Sequence, residues 1–115
     1  MSEPTQQDQK VRSAYEQVEV RDNPAAHRFE VEAGGKLAIA RYRLAPGTIT
    51  FVHTRVPQEL RGHGIATRMI VAALASARRR RLQVVPECPL FAAYMRSHAE
   101  VQDLLAPPGK ALLGL

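Results

Sequence analysis

Apolar and polar residues alternate along the first half of the chain, which is the pattern of β-strands. The alternation predicts strands at residues 18–21, 27–32, 37–44 and 48–56. Asp22-Asn23-Pro24 predicts a turn after the first strand. Two glycine-containing segments predict the later turns, because glycine reaches positive φ without steric cost. They are Ala33-Gly34-Gly35-Lys36 and Ala45-Pro46-Gly47, and the whole region predicts an antiparallel meander.

After Pro57 the period changes from two residues to the spacing of a helix. From Gly64 to about Arg80 apolar residues recur three or four apart without an intervening Pro or Gly, which predicts the longest helix of the chain. Residues 82–85 are a short apolar run that ends at Pro86 and predicts a buried strand. A right-handed crossover would place this strand parallel to residues 48–56. Residues 89–96 predict a shorter helix, and residues 101–105 a further turn.

The two ends of the chain differ from this periodic region. Residues 1–14 are polar and lack periodicity, so they predict a flexible tail. Pro107-Pro108-Gly109 predicts the end of the ordered part, which makes residues 107–115 a C-terminal tail. Residues 15–106 then form one domain of the α/β (α+β) class, with antiparallel strands first and a strand–helix–strand unit after them.

Charge is distributed unevenly over the sequence. Residues 1–32 carry a net charge of −3, whereas residues 33–115 carry +8. The later part is therefore the one expected to attract an anion. A phosphorylated cofactor, a nucleic acid and a merely solubilising arginine-rich surface are the three explanations that composition leaves open.

Several classes of protein are excluded or disfavoured by what the sequence contains. A single cysteine, Cys88, rules out a disulfide within the chain and a multi-cysteine metal site, and four scattered histidines give no ligand spacing, so no metal is expected. No apolar run reaches the roughly 18 residues that a membrane-spanning helix needs. The first ten residues are polar and have no apolar signal core. Cytoplasmic location is the resulting expectation.

The most informative segment is Arg61-Gly62-His63-Gly64-Ile65-Ala66, between a predicted strand and the longest predicted helix. Glycines let the backbone approach a ligand, and the unpaired N–H groups of a helix start attract phosphate. Arg61 and Arg68 add side-chain charge. The segment lacks the Gly-Lys-Ser/Thr of a P-loop and the third glycine of the dinucleotide fingerprint. These six residues alone fit a phosphate cradle and also fit a plain tight connection.

The spacing Arg-x-x-Gly-x-Ala at Arg61, Gly64 and Ala66 resembles the acetyl-CoA signature of the GCN5-related N-acetyltransferases, Gln/Arg-x-x-Gly-x-Gly/Ala. More narrowly, the chain resembles the small, single-domain, YjdJ-like group of predicted acetyltransferases over about residues 18–106. The matching pieces are Asp22-Asn23-Pro24, Arg28-Phe29-Glu30, His53-Thr54 with Val56-Pro57, Leu60-Arg61-Gly62-x-Gly64, Ala73-Leu74, and Val85-Pro86-x-Cys88-Pro89 with Tyr94. One departure is Ser97-His98-Ala99-Glu100-Val101, where the group often has Arg-His-Pro-Glu-Tyr.

This resemblance implies a reduced acetyl-CoA N-acyltransferase fold in which the coenzyme lies between two splayed parallel strands. It also implies that a backbone N–H near residues 54–56 polarises the thioester carbonyl, since splayed strands leave such donors unpaired. The reaction implied is transfer of an acetyl group from acetyl-CoA to an amine. The cofactor-binding positions implied are Thr54, Val56, Arg61, Gly62, His63, Gly64, Ile65, Ala66 and Cys88.

Three residues are candidates for proton transfer or covalent catalysis. His53 is a candidate base, because imidazole exchanges protons near neutral pH. Cys88 lies beside a predicted helix start that favours its thiolate form, so it could accept the acetyl group or protonate the departing thiolate. The phenol of Tyr94 could serve as the acid instead. Each also has a purely structural interpretation. His53 could pack in the sheet, Cys88 could be a small buried apolar residue, and Tyr94 could form a pocket wall.

Two alternatives to an enzyme remain open at this point. A coenzyme A-binding module without turnover, acting as a sensor or partner subunit, would carry the same cradle. A nucleic-acid binder could use Arg78–Arg81, but no aromatic or polar reader lies adjacent to that cluster, so nucleic acid is not an expected partner. The sequence does not specify whether the acceptor amine belongs to a protein or to a small molecule.

Overall fold

The computed structural model describes residues 18–115 of the chain, and these residues contain one five-stranded sheet in the order β1-β2-β3-β4-β5. Neighbouring strands are antiparallel except β4 and β5, which are parallel. The strands are β1 (Arg21–Asn23), β2 (Arg28–Ala33), β3 (Lys36–Ala45), β4 (Thr48–Arg55) and β5 (Gln83–Pro86). The predicted meander and its parallel fifth strand are confirmed.

Three α-helices follow the meander, with short 3₁₀ helices between elements. The 3₁₀ helices are Pro24–Ala26, Gln58–Leu60 and Ala99–Leu104. The α-helices are α1 (Ile65–Arg79), which is the long predicted helix, α2 (Pro89–Ser97) and α3 (Pro107–Leu113). No helix within residues 18–115 is long and apolar enough to cross a bilayer.

The core lies between one face of the sheet and the helices. Alternate side chains of β2, β3 and β4 are buried on this face and meet the apolar face of α1, which includes Met69 and Ala73. Phe91 of α2 stacks on Phe51 of β4, with ring centroids 4.1 Å apart. The side chains of the opposite face, here called the open face, are half-buried or exposed, and they include Ile39, Arg41 and Arg43. Among residues 18–115, the helices therefore pack on one side of the sheet only.

A β-bulge in β4 decides which residues point toward the helices. Arg41 pairs with His53 whereas Tyr42 pairs with Phe51, so Val52 is an extra residue in β4. Beyond it, Thr54 pairs with buried Ala40 and returns to the helix-facing side, while His53 lies on the open face. In a regular strand these two residues would occupy the opposite faces, because side chains alternate. The bulge thus exchanges the positions of His53 and Thr54.

The first strand differs from its prediction. Residues 18–20 are not in a strand, and β1 instead covers Arg21–Asn23, two residues of which were expected to form a turn. The turn falls on Pro24–Ala26, because the Asn23 side chain accepts a hydrogen bond from the Ala26 N–H at 3.2 Å and begins a 3₁₀ helix there. The predicted flexible tail at residues 1–14 lies outside the described residues, and the domain limits stay a prediction.

The C-terminal prediction was also wrong in its local structure. Residues expected to form a tail make the helix α3, which packs against β5 and buries Gly109 and Leu113. The two prolines do not prevent this helix, since its first positions need no hydrogen-bonded N–H. The Ala106 N–H donates to the Val84 carbonyl at 2.9 Å and fixes the approach of α3 to the sheet.

Candidate functional site

Strands β4 and β5 separate halfway along β4. Their parallel pairing runs only from Thr48–Gln83 to Phe51–Pro86, and Pro86 has no N–H with which to continue the ladder. The last bond across the gap is donated by the Cys88 N–H to the Phe51 carbonyl at 2.8 Å. The backbone of β4 beyond Phe51 therefore has no strand partner on that side, and a wedge-shaped opening results.

The start of α1 faces this opening. Gly62 and Gly64 have φ of 82° and 74°, a left-handed conformation that suits glycine. Gly64 caps the helix without a side-chain hydrogen bond, and the first turn contains no acidic residue. The unpaired N–H groups of the first turn and the positive end of the helix dipole are therefore not neutralised by a capping side chain or an acid of that turn. Such a helix start binds phosphate well.

These elements enclose a cleft of about 560 Å³. It brings together most of the residues predicted to bind a cofactor, from two segments of the sequence. The lining residues are His53, Thr54, Arg55, Val56, Leu60, Arg61, Gly62, Gly64, Ile65, Ala66, Thr67 and Leu90. His63 is exposed in the same loop but does not line the cleft. Seven of the nine predicted cofactor-binding residues thus line one cleft, and their role in binding a cofactor stays a prediction.

Arg61 ties the glycine loop to the end of β4. Its Nε donates a hydrogen bond to the Val56 carbonyl at 3.1 Å. The other guanidinium nitrogens carry the remaining donors of the fork. Arg61 can therefore hold the loop in place and still offer positive charge to an anion in the cleft.

Cys88 lies behind the wall of the cleft and does not line it. The residue is 2% exposed, and its Sγ lies 3.1 Å from the Oγ1 of Thr54. Its carbonyl accepts the N–H of Ala92 in the first turn of α2. Thr54 lines the cleft, so this residue links the buried thiol to the cleft wall. The bulge makes this contact possible by turning Thr54 toward the helices.

Tyr94 lies in a different part of the molecule from the other two catalytic candidates. It lines a second groove of about 440 Å³ between the C-terminal half of α1 and residues 100–104. Its ring stacks on His98 with centroids 3.8 Å apart, and the Nδ1 of His98 lies 2.7 Å from the Tyr94 carbonyl. His98 is half-buried. The structure does not bring Tyr94 together with His53 and Cys88.

Four cleft residues were not predicted from the sequence. Leu60 forms a buried floor, and Leu90 is a large apolar residue that is 46% exposed beside the opening. Thr67 and Arg55 complete the lining. Two of the four carried a signal: Leu60 begins the matching piece Leu60-Arg61-Gly62-x-Gly64, and Leu90 follows Cys88-Pro89 in the predicted first turn of a helix. Within residues 18–115, His, Cys, Asp and Glu form no group of three or more that could hold a metal ion.

The family profile described as GCN5-related N-acetyl-transferase matches residues 28–104. The chain belongs to this family of acetyltransferases. The matched region begins at β2 and includes the cleft, the bulge and both helices that border the opening. The mixed sheet with its parallel last pair agrees with the fold of the family. The YjdJ-like group is a narrower prediction that this match does not address, and no curated protein matches the chain.

Proposed function

We propose that this protein is an acetyl-CoA-dependent N-acetyltransferase. The observation that carries the proposal is the start of α1, which opens onto the cleft beside two separated parallel strands. This helix start has no side-chain cap and no acidic residue in its first turn. A pyrophosphate fits such a helix start because it supplies N–H donors and positive potential. The family of the chain supports acetyltransferase chemistry in general.

Each side of the cleft suits a different part of acetyl-CoA. The amides of residues 62–66, with Arg61, would hold the pyrophosphate, and the free backbone of β4 at Thr54–Val56 would hold the pantetheine arm and the thioester carbonyl. Leu60, Ile65 and Leu90 offer apolar contact. When bound, acetyl-CoA supplies an activated acetyl group.

His53 is proposed to take up the proton that the acceptor amine loses. It is exposed, lines the cleft and lies on the open face, from which an acceptor can approach. The Cys88 thiol, through the Thr54 hydroxyl, is proposed to return a proton where the thiolate of coenzyme A forms. Tyr94 has no place in this arrangement, since it lines the second groove.

One observation favours a second candidate, a coenzyme A-binding module without turnover. No side chain within residues 18–115 hydrogen-bonds the His53 ring, so its orientation is not fixed as in many general bases. The cleft and its helix start would be the same in such a module.

An NMR titration with coenzyme A and a transfer assay together test the proposal. We expect the amides of residues 61–66 to shift most on titration, with residues 78–81 at the far end of α1 as the internal control. Shifts centred on residues 78–81, or no binding, would disprove the proposed site. Release of free thiol with a panel of amines, lost in His53→Ala and Cys88→Ala, supports an enzyme. Tight coenzyme binding with no turnover on any amine supports the module.

A further inference from the structure

Within residues 18–115, five arginines and three carboxylates reach the open face. Residues that pair across antiparallel strands have their side chains on the same face of the sheet. The pairs Arg21–Glu30, Arg28–Arg41, Arg43–Thr50 and Arg55–Ile39 all lie on the face away from the helices. The arginines are Arg21, Arg28, Arg41, Arg43 and Arg55, and the carboxylates are Glu30, Glu32 and Glu87. The charges on this face are therefore not balanced.

Each of the three carboxylates already has an arginine partner. Arg28 pairs with Glu30, Arg21 lies 3.9 Å from Glu32, and Arg43 lies 3.1 Å from Glu87. The hydrogen bond from Arg28 lowers the pKa of Glu30, so this carboxylate stays ionised and bound to its partner. Among the described residues, no acid of the face is left for the other two arginines.

Arg41 and Arg55 are the two arginines that remain. Neither guanidinium has a hydrogen-bond or ion-pair partner within residues 18–115. His53 lies between them, directly opposite Arg41 and two residues before Arg55 on the same face. Side chains that are opposite on antiparallel strands have Cβ atoms about 4.5–5.5 Å apart, and like charges there are destabilising. The bulge at Val52 thus places a cluster of basic groups around the proposed base.

This cluster borders the proposed site on the side open to an acceptor. His53 and Arg55 line the cleft, and Arg41, which pairs with His53 across the sheet, lines a separate depression of about 600 Å³ that also contains Val52 and Arg43. The pyrophosphate would lie at the start of α1, against Arg61 and the glycine loop, so it does not account for Arg41. The charge around His53 therefore concerns the second substrate.

We propose that the acceptor carries carboxylate groups close to its amine, as an acidic peptide does, and that Arg41 and Arg55 bind them beside His53. This inference rests on the proposed acetyltransferase function. A carboxylate forms charge-assisted hydrogen bonds with guanidinium groups that have no other described partner. A polyamine or a basic peptide would add positive charge to the same surface and is disfavoured.

Acetylation of three matched peptides tests this inference. They share a free N-terminal Ala and an amidated C-terminus, contain no lysine, and carry Glu-Glu, Gln-Gln or Arg-Arg at the second and third positions. A second set has a blocked N-terminus and one lysine in the same three contexts. We expect kcat/KM to be at least about tenfold higher for the acidic than for the neutral peptide, mostly through KM, and lowest for the basic peptide.

The double variant Arg41→Gln, Arg55→Gln is expected to reduce this preference to less than about threefold, and added salt should have the same effect. Arg96→Gln is the matched control, because Arg96 is an exposed arginine of α2 outside both substrate surfaces. Equal rates for the three peptides, or a preference for the basic one, would overturn the inference. So would a double variant that weakens coenzyme binding and leaves acceptor preference unchanged.

Failure of the proposed function would look different. If the protein binds coenzyme A but acetylates no peptide, the acidic and neutral peptides are titrated into the coenzyme-loaded protein and followed by NMR. Shifts of the Arg41, His53 and Arg55 amides with the acidic peptide alone support the carboxylate site without turnover. If these shifts are absent, the carboxylate site is disproved. If coenzyme A does not bind, the proposed function itself is disproved.

Discussion

The thiol of Cys88 lies 3.1 Å from the hydroxyl of Thr54, and this contact joins the first turn of α2 to the half of β4 that follows the bulge. Thr54 faces the cleft on its other side, whereas Cys88 is buried. Thr54 is therefore the residue through which the proposed proton transfer from the thiol to the cleft would run. The pair also gives the buried thiol a polar partner, which a cysteine with a purely packing role does not need.

Cys88→Ser separates these two roles. Serine keeps a hydrogen-bonding partner for Thr54, so we expect the fold and coenzyme affinity to change little. A hydroxyl releases its proton far less readily than a thiol, so we expect kcat to fall by at least about tenfold. Removal of a general acid or base typically lowers the rate by this much or more. Circular dichroism, coenzyme titration and steady-state rates measure the three effects.

Thr54→Val tests the other half of the same pair, since it removes the hydroxyl and keeps the shape of the side chain. It should lower kcat in the same direction as Cys88→Ser, whereas Thr54→Ser should retain most of the rate. A Cys88→Ser protein with unchanged kcat would show that the thiol has only a packing role.

Gly64→Ala is expected to weaken coenzyme binding through the helix start. An added Cβ meets nothing within 4 Å, but φ is 74°, so the substitution strains the backbone or shifts the first turn of α1. The left-handed conformation costs about 1–2 kcal/mol for a residue with a Cβ. We expect a loss of stability of about that size, together with a loss of coenzyme affinity of about tenfold or more, because the N–H groups no longer converge.

Gly47→Ala is the matched control for this variant. Gly47 has φ of 71° and equally open surroundings, but it lies in the turn between β3 and β4, at the opposite end of β4 from the cleft. It should lose similar stability in urea denaturation and keep its coenzyme affinity. Equal affinity losses in both variants would mean that general destabilisation, and not the helix start, weakens binding.

The parts of the site that depend on local sequence could be predicted. The parts that depend on how β4 pairs with β3 could not. The glycine loop and α1 follow from residue type and a local period, so residues 61–66 could be placed at a helix start. The bulge at Val52 could not be predicted, because residues 51–55 contain no breaker and the extra residue exists only relative to Arg41 and Tyr42 of β3. The faces of His53 and Thr54 depend on it.

Helix α2 shows a second kind of limit. Its bounds were predicted to within one residue, yet Tyr94 points into the second groove because Phe91 and Met95 are the residues that the core buries. Which face of a short helix is buried depends on its packing against α1 and β4, and the unbroken run of six apolar residues at 90–95 leaves that choice open. The direction of the Tyr94 side chain could therefore not be predicted from the sequence.

Gly109→Ala tests whether α3 is an integral part of the fold. In most helices this change stabilises, by about 0.5–1 kcal/mol. Here a Cβ on Gly109 would meet the Val84 carbonyl oxygen at 2.8 Å, a backbone atom of β5 that cannot move aside cheaply. We therefore expect the opposite sign, a loss of about 1–3 kcal/mol from overpacking.

Leu112→Ala serves as the control for α3, because Leu112 is exposed on the same helix. It should change the free energy of unfolding by less than about 0.5 kcal/mol. If Gly109→Ala raised the urea midpoint, α3 would not be held against β5 in solution.

Tyr42 and Asp22 give the fold a dependence on alkaline pH. The buried Tyr42 hydroxyl donates to Asp22 Oδ1 at 2.7 Å. Burial, and then the hydrogen bond and charge of Asp22, raise the pKa of Tyr42 to about 12. Because the folded state holds this proton more tightly than the unfolded state, the stabilisation is complete below about pH 10, the ordinary tyrosine pKa, and is lost as the pH rises toward 12. One pKa unit corresponds to about 1.4 kcal/mol, so the loss across this window is about 2–3 kcal/mol.

Urea denaturation of the wild type and of Tyr42→Phe at several values between about pH 8 and pH 12 measures this loss. The variant should be less stable by about 1–2 kcal/mol at neutral pH, since Asp22 loses its hydrogen-bond donor, and its stability should fall less steeply above about pH 10. Tyr94→Phe should keep the wild-type slope, because no described residue hydrogen-bonds the Tyr94 hydroxyl. Parallel curves for the wild type and Tyr42→Phe would show that the Tyr42 proton is not held by the fold. The difference between the curves isolates Tyr42 because every other titrating group is present in both proteins.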